Sequence, residues 1–382
     1  MKLKNFFRTF ALGALVITLV LGCKNSSGTG EYGYEKLYPN ASDIAFDDFQ
    51  IVELSKDVTL GDIEKICVED SLIFISSNEC LYSFNMDGSL HAQYGMKGRA
   101  ANEYNYLSAF YVDKKSKQVF IVDFTLGKLN CYRYDGSFVS SNVVEALKSF
   151  LYDVRLLTDG RLFVNNRIFN DSRVLYSIIN LNDGSVKELR SVPFSTNNTS
   201  EFCGEHMCNI YNGKMYYIAP FEPYIYVLEE DKETVCKEIA GVSDIPRKSE
   251  LENITDYNFF TSYNMYNEGK FVGFTGLYET DSFILLNEMV SFNYYIIDKT
   301  TGKQKRYQYS IDEDAQTLPI KNIRAAYKDW FIGVGSPMNL MQLSEDLPRN
   351  PSDPYLKKFK EIAEKTTTES NPCLFFYKIK SI

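Results

Sequence analysis

The sequence has one tryptophan and only two histidines, His91 and His206, beside 28 tyrosines and 27 phenylalanines. Histidine this scarce leaves little for a metal centre. Cys203-Gly-Glu-His206-Met-Cys208 holds suitable ligand types, but no second ligand pair stands at a zinc-like spacing, so no metal site is assigned. No Gly-x-Ser-x-Gly occurs, which removes the nucleophile elbow of one hydrolase class, and no catalytic residue is assigned. Long basic blocks are also missing, and 41 Lys and Arg against 50 Asp and Glu give a net charge of −9. Nucleic acid is therefore not an expected partner, because phosphate binding needs clustered cations. Beyond Leu21 nothing is long and apolar enough to span a bilayer. With Cys23 set aside, the cysteines are odd in number and cannot all pair within the chain; Cys203 and Cys208 alone are close enough in sequence to consider for a bridge.

What is present is a repeat. CLYSFNMDGSL at Cys80–Leu90 returns as LNCYRYDGSF at Leu129–Phe138, as SIINLNDGSV at Ser177–Val186, and in worn form as YVLEEDKETV at Tyr226–Val235. The turn aspartates Asp87, Asp135, Asp183 and Asp231 are each 48 residues after the last. A fixed period of this size marks a solenoid, propeller or array. The aspartates themselves read as structural, since Asp and Gly suit tight hairpins.

The start of the chain reads as an address. Lys2, Lys4 and Arg8 precede a short apolar run, Phe10–Leu21. As a helix its twelve residues rise about 18 Å, short of a core of about 30 Å, which is the pattern of a secretory signal. Val20-Leu-Gly-Cys23 resembles a bacterial lipobox, followed at once by the polar tether KNSSGTG. That resemblance implies cleavage before Cys23 and lipidation there with acyl chains such as palmitate. The expected organisation is residues 1–22 as a lipoprotein signal peptide, 23–45 as lipidated cysteine and tether, and 46–382 as one all-β domain.

Within the repeat, Ile63–Val68, Leu72–Ser76, Cys80–Phe84 and Leu90–Tyr94 are apolar bursts separated by turn formers. Such short breaks permit only hairpins, so each module is a four-stranded antiparallel meander. Further modules run over Leu107–Val144, Leu151–Leu189 and about Met207–Ile239. A fifth is expected at Ser262–Tyr266, Lys270–Phe274, Asn293–Asp298 and Lys305–Tyr309. The sixth supplies only Ile323–Tyr327, Trp330–Val334 and Cys373–Lys380, with a short helix at Tyr355–Lys365 inside a polar insert. Its missing strand is available at the other end, where Ile51–Leu54 has no neighbour in sequence to pair with. Closing the ring removes the exposed edges of a linear array, so the expectation is a six-bladed β-propeller of four-stranded antiparallel blades, closed by the N-terminal strand.

The second module, IVDFTLGKLNCYRYDGSFV, is similar to an NHL repeat, and Gly95–Tyr104 resembles a Gly-rich loop ending in Gly-Glu-Tyr. With the closing stretch Asn371–Lys380, these resemble the six-bladed β-propeller lipoproteins of Gram-negative bacteria. The resemblance implies fold and export, not a reaction.

Alternating strand direction sorts the connections onto two faces. The tight Asp-Gly turns fall on one, the turn face. The enlarged connections Gly95–Asn105, Ser191–Glu205, Gly241–Thr261, Gly276–Ser291 and Ser336–Pro372 fall on the other, the loop face. Long loops on a rigid scaffold are where binding usually resides. Arg99, Glu103, Tyr104, Asp123, Arg167, Glu222 and Tyr278 are the candidate binding residues on that face. Two functions follow. The first is a monomeric, lipid-anchored outer-membrane module, periplasmic or surface-facing, binding a glycan, peptide or protein without catalysis. The alternative is a metal-assisted hydrolase or lyase on a carbohydrate or lactone; calcium is the one cofactor it would call for, with Asp123, Asn165 and Asn258 as possible channel ligands.

Overall fold

The computed structural model describes residues 44–149, 151–168, 172–194, 206–291, 293–307, 322–346 and 354–382. The lipobox, the tether and Cys203 lie outside them. Strand β1 (Ala45–Glu53) comes first. Blade 1 follows as β2 (Ile63–Glu69), β3 (Leu72–Ser77), β4 (Cys80–Asn85) and β5 (Leu90–Gln93). Blade 2 is β6 (Ala109–Asp113), β7 (Gln118–Asp123), β8 (Lys128–Arg133) and β9 (Phe138–Val143). Blade 3 is β10 (Leu151–Leu156), β11 (Leu162–Asn166), β12 (Val174–Ile179) and β13 (Val186–Ser191). Blade 4 is β14 (Cys208–Tyr211), β15 (Lys214–Ile218), β16 (Tyr224–Glu229) and β17 (Lys232–Glu238). Blade 5 is β18 (Phe274–Glu279), β19 (Phe283–Glu288), β20 (Tyr294–Asp298) and β21 (Gln304–Tyr307). Blade 6 contributes β22 (Ile323–Tyr327), β23 (Trp330–Gly335) and β24 (Cys373–Ser381).

Six four-stranded antiparallel sheets result, and the last has the order β1-β24-β23-β22. The N-terminal strand therefore closes the ring, with Ile51 opposite Phe375 and Val52 opposite Leu374. Pairing reaches back to Ala45, further than the apolar pattern suggests. Backbone pairing does not require an apolar side chain at each position, so Asp48 joins the ladder opposite Lys378, with Asp47 left out at a register shift. A side-chain clip secures the junction: Asn371 accepts from the Leu60 amide (2.9 Å) and donates to the carbonyls of Ser55 (2.7 Å) and Val58 (2.8 Å). β22 then lies against β2 of blade 1.

The aromatics pack between blades. Phe74, Leu81 and Tyr94 of blade 1 meet Phe110, Ile121 and Tyr132 of blade 2 in one buried layer. Their hydroxyls stitch the same seams: Tyr94 donates to the Tyr134 carbonyl (2.7 Å) and Tyr176 to the Ile218 carbonyl (2.6 Å). A flat blade face suits rings of this size, and each buried hydroxyl then needs a partner.

The Asp-Gly turns are structural. Ser89 donates to Asp87 from its amide (2.9 Å) and hydroxyl (2.6 Å), and Ser137–Asp135 and Ser185–Asp183 repeat the motif. These bonds hold the three carboxyls below their usual range. The adjacent Gly88, Gly136 and Gly184 take positive φ, as the turn demands. In the worn fourth copy Glu230 and Asp231 themselves take positive φ, and Arg161 pairs with Asp231 at 2.7 Å.

Blade 5 corrects the sequence reading. Residues 262–266 are not a strand but part of helix α2 (Phe259–Asn267), which follows α1 (Lys248–Glu252). Asn258 caps α2, accepting from the Thr261 amide at 3.2 Å. Gly276–Ser291, expected as a loop, is largely β18 and β19. The first two strands thus come later than expected and the connection from blade 4 is longer, while the third and fourth, β20 and β21, fall where the sequence places them. The insert of blade 6 holds α3 (Pro337–Asp346) and α4 (Pro354–Ala363). Phe359 of α4 is fully buried, with its ring 5.9 Å from that of Phe375.

Candidate functional site

Each blade starts with its innermost strand, and that strand begins at the loop face. In blades 1, 3, 5 and 6 the innermost strand is bulged within its first three residues, at Ile63/Lys65, Leu151/Asp153, Phe274/Gly276 and Ile323/Ala325. The residues left out of register are Glu64, Tyr152, Thr275 and Arg324. Bulges re-aim side chains and gather next to working sites. Here Glu64 and Arg324 line one cleft between blades 6 and 1, while Tyr152 packs against the buried core of blades 3 to 5.

The innermost strands also carry a charged group drawn from several blades. Lys65 of β2 reaches across to Asp153 of β10, pairs with it, and also donates to the Phe110 carbonyl of β6 at 2.7 Å. Arg155, two residues along and on the same side of β10, pairs with the other Asp153 oxygen at 2.6 Å. The Asp153 side chain is fully buried and that of Lys65 is 7% exposed. Burial, and then the Arg155 charge, push Lys65 below the ordinary lysine range. His206, just ahead of β14, is buried, with its ring 5.5 Å from Tyr278. Burial first, then the charges of Arg324, Arg155 and Lys65, drive its imidazole well below the usual range, so the ring is neutral at pH 7. Its Nε2 is buried without a hydrogen-bond partner. Burial pushes the neighbouring Cys208 thiol up to about 12, which leaves no thiolate nucleophile there. The group thus sets one carboxylate, Asp153, against three cations, Lys65, Arg155 and Arg324, inside an acidic protein.

The candidate binding residues fare unequally. Arg99 is exposed in the link from blade 1 to blade 2. Glu103 folds back onto its own loop, accepting from the Ala100 amide at 2.8 Å. Tyr104 is 1% exposed and packs in the seam between blades. Asp123 is buried, taking the amides of Asn105 (2.7 Å), Tyr106 (3.2 Å) and Thr125 (3.0 Å). It shapes the loop. Arg167 remains at the loop face, its guanidinium 5.0 Å from the centroid of the Tyr152 ring. Glu222 holds Arg190 (2.5 Å) and the Tyr226 hydroxyl, tying blade 4 to blade 3. Tyr278 is displaced furthest: it sits in β18, buried, because blade 5 starts later than its pattern suggests. The possible calcium ligands do not come together, since Asn258 caps α2, Asp123 serves loop amides, and Asn165 lies in β11, one strand out from the channel.

Two further features belong to the loop face. A cleft of about 360 Å³ opens between blades 6 and 1, lined by Asp62, Glu64, Asn322, Arg324 and Ser336 among others. Exposed large hydrophobics are also unevenly distributed among the described residues. Four valines lie on outermost strands: Val139, Val143, Val186 and Val235. Met96, Tyr106, Leu126 and Ile245 lie in loop-face connections, joined there by Phe260 and Tyr263 of α2 and by Met338 and Met341 of α3. None lies on the turn face. Phe260 is 68% exposed and Met338 is 72% exposed.

Residues 33–378 match the family described as "Domain of unknown function (DUF4934)". No curated protein matches the sequence. Among solved structures, the chain is similar to a Bacteroides fragilis protein described as exported, with TM-score 0.73 and 19% identity over 90% of this chain and 99% of that one. It is also similar to a DUF4221-family member from Bacteroides vulgatus, with TM-score 0.55 and 8% identity over 88% of this chain and 98% of that one. At such identities the likeness speaks for the fold alone.

Proposed function

The chain belongs to the DUF4934 family, whose description assigns no role, and we propose from its geometry that it is a lipid-anchored envelope protein that docks a protein partner on its loop face without catalysing a reaction. The observation that carries this reading is the uneven distribution of apolar side chains. Outside the outermost strands, every exposed large hydrophobic residue among those described belongs to the loop face. Clustered apolar exposure of this kind marks interaction surfaces, and methionine and aromatic side chains are favoured there. α2 and α3 offer Phe260, Tyr263, Met338 and Met341 from helices raised on a rigid ring, so docking need not order the scaffold. The three aromatics Tyr106, Phe260 and Tyr263 would also stack on sugars, but methionine, leucine and isoleucine favour a protein. The anchor rests on Val20–Cys23, the part of the reading that comes from sequence motif alone.

Peptide and glycan arrays probed with the full chain test this. Peptides rich in apolar residues are expected to be retained, and Phe260→Asp/Met338→Asp should weaken retention at least tenfold. Retention of glycans only, or peptide binding that survives both substitutions, would contradict a protein-docking face.

A further inference from the structure

We propose that Arg324 and His206, backed by Lys65, Asp153 and Arg155, form a site at the loop-face mouth of the channel for a single carboxylate on an otherwise uncharged ligand. The proposal stands apart from the docking reading, because its residues lie at the axis and not on α2 or α3. Three observations carry it. Arg324 is the bulged residue of β22, lines the 360 Å³ cleft, and makes no ion pair among the described residues. Its Nε is buried without a hydrogen-bond partner. A guanidinium placed so, half-buried and unpaired, has a planar fork free for a bidentate acceptor.

Next, His206 is 7% exposed, and its Nε2 also lacks a partner. His206 leads into β14, and β14 and β22 both pack against β18; buried polar atoms are nearly always satisfied, so we take the two orphaned nitrogens to share an acceptor from outside the chain. A neutral imidazole carrying its proton on Nε2 supplies the second donor. Last, Lys65 and Arg155 share one carboxylate, Asp153, which leaves the interior with excess positive charge for an incoming anion to offset.

The rim narrows the class. Asp62 and Glu64 line the same cleft and are exposed to water, while Arg324 is half-buried. Screened acids at the entrance repel a polyanion more than a monoanion, and the net charge of −9 acts the same way. A carboxylate is thereby favoured over a polysulfated chain. It could be carried by an acidic sugar or by the C-terminus of a peptide.

Calorimetric titration of the purified full chain separates these sources. The probes are sodium glucuronate against glucose, and acetyl-alanyl-alanine against its amide. At least one carboxylate is expected to bind while its uncharged counterpart does not. Arg324→Gln should weaken that binding about tenfold or more, as loss of a charge-assisted hydrogen bond does, with the melting temperature unchanged. His206→Phe should act in the same direction, and Phe260→Asp/Met338→Asp should leave carboxylate binding intact even though it disables docking. Binding of glucuronate alone identifies an acidic sugar; binding of the dipeptide alone identifies a chain terminus. If neither carboxylate binds at millimolar concentration, if the uncharged partners bind equally, or if Arg324→Gln binds as the parent does, the proposal fails.

Discussion

Replacing Asp153 with asparagine keeps the shape of the side chain and removes the carboxylate that Lys65 and Arg155 share. Both oxygens are engaged, one by each cation, and the Asp153 side chain is fully buried. Taking away one member of a buried charged group leaves the others uncompensated, which costs about 3–5 kcal/mol. Lys65 has one escape, which is to lose its proton. Doing so at pH 7 from the ordinary lysine value of about 10.4 costs about 1.4 kcal/mol per pH unit, close to 5 kcal/mol in all, so deprotonation gives little relief. A cooperative unit of roughly 340 residues unfolds with about 0.7 kcal/mol per degree, which turns the loss into a fall of about 4–7 °C in melting temperature. The deficit has a sign in pH. In the variant, Lys65 loses its stabilising anion, so its folded pKa drops further below the unfolded value and the unfolded state binds the extra proton. Stability of Asp153→Asn should therefore recover as pH rises toward about 10. Calorimetry at pH 7.5 and 9.5 reads both effects. A variant within about 0.5 kcal/mol of the parent at pH 7.5, or a deficit equally large at pH 9.5, would refute the reasoning.

Other outcomes follow from single sites. The folded His206 pKa lies below the unfolded value, so its contribution to stability is complete above about pH 6.5 and is lost as pH falls toward the folded pKa. Its ring resonances should hold constant down to about pH 5.5 in an NMR titration, and ordinary titration near pH 6.5 would contradict the burial described. At Gly136 an added Cβ would meet the Gln93 carbonyl at 2.6 Å with φ at +83°, whereas at Gly184 it meets nothing within 4 Å with φ at +73°. Gly136→Ala should therefore lower stability by about 2 kcal/mol or more, Gly184→Ala by about 1 kcal/mol, measured by urea denaturation. Glu53 stands opposite Cys373 in the closing ladder. Glu53→Cys should form a disulfide under mild oxidation and raise the melting temperature; a free thiol count that does not fall would break the register.

Much of the ring was legible because its evidence is periodic. The 48-residue spacing of Asp87, Asp135 and Asp183 reports hairpins directly, since the same turn chemistry recurs where the third strand meets the fourth in blades 1, 2 and 3. The unpaired apolar stretch at Ile51–Leu54 and the three-strand sixth module each lacked a complement that the other supplied. In blade 5 the third and fourth strands were legible, as β20 and β21, although Asp298 turns through Thr300 and Thr301 in place of an Asp-Gly pair; the first two were misplaced. Ser262–Tyr266, apolar at alternate positions, passes for a strand, and the Asn258 cap that makes it a helix is a weaker signal. The channel group was missed for another reason. Lys65, Asp153 and Arg324 stand in different blades, so no local spacing connects them; only Asp153 and Arg155 are neighbours, two residues apart on one strand. A charged residue two or three places into the first strand of several repeats, amid apolar neighbours, is the sign they leave in the sequence. Tyr104 and Asp123 show what a residue of a loop-face connection can also do for the fold: Tyr104 packs in the seam between blades and Asp123 accepts loop amides.

The claim that one face of the ring carries the binding surface is most directly tested by photo-cross-linking in cells that make the protein. A photoreactive side chain at Met338, Phe260 or Tyr106 samples the loop face, and one at Ser116, Asn182 or Thr301 samples the turn face. Discrete protein adducts from the first three positions and none from the last three are expected. Adducts from the turn face alone, or equally from both faces, would contradict the account.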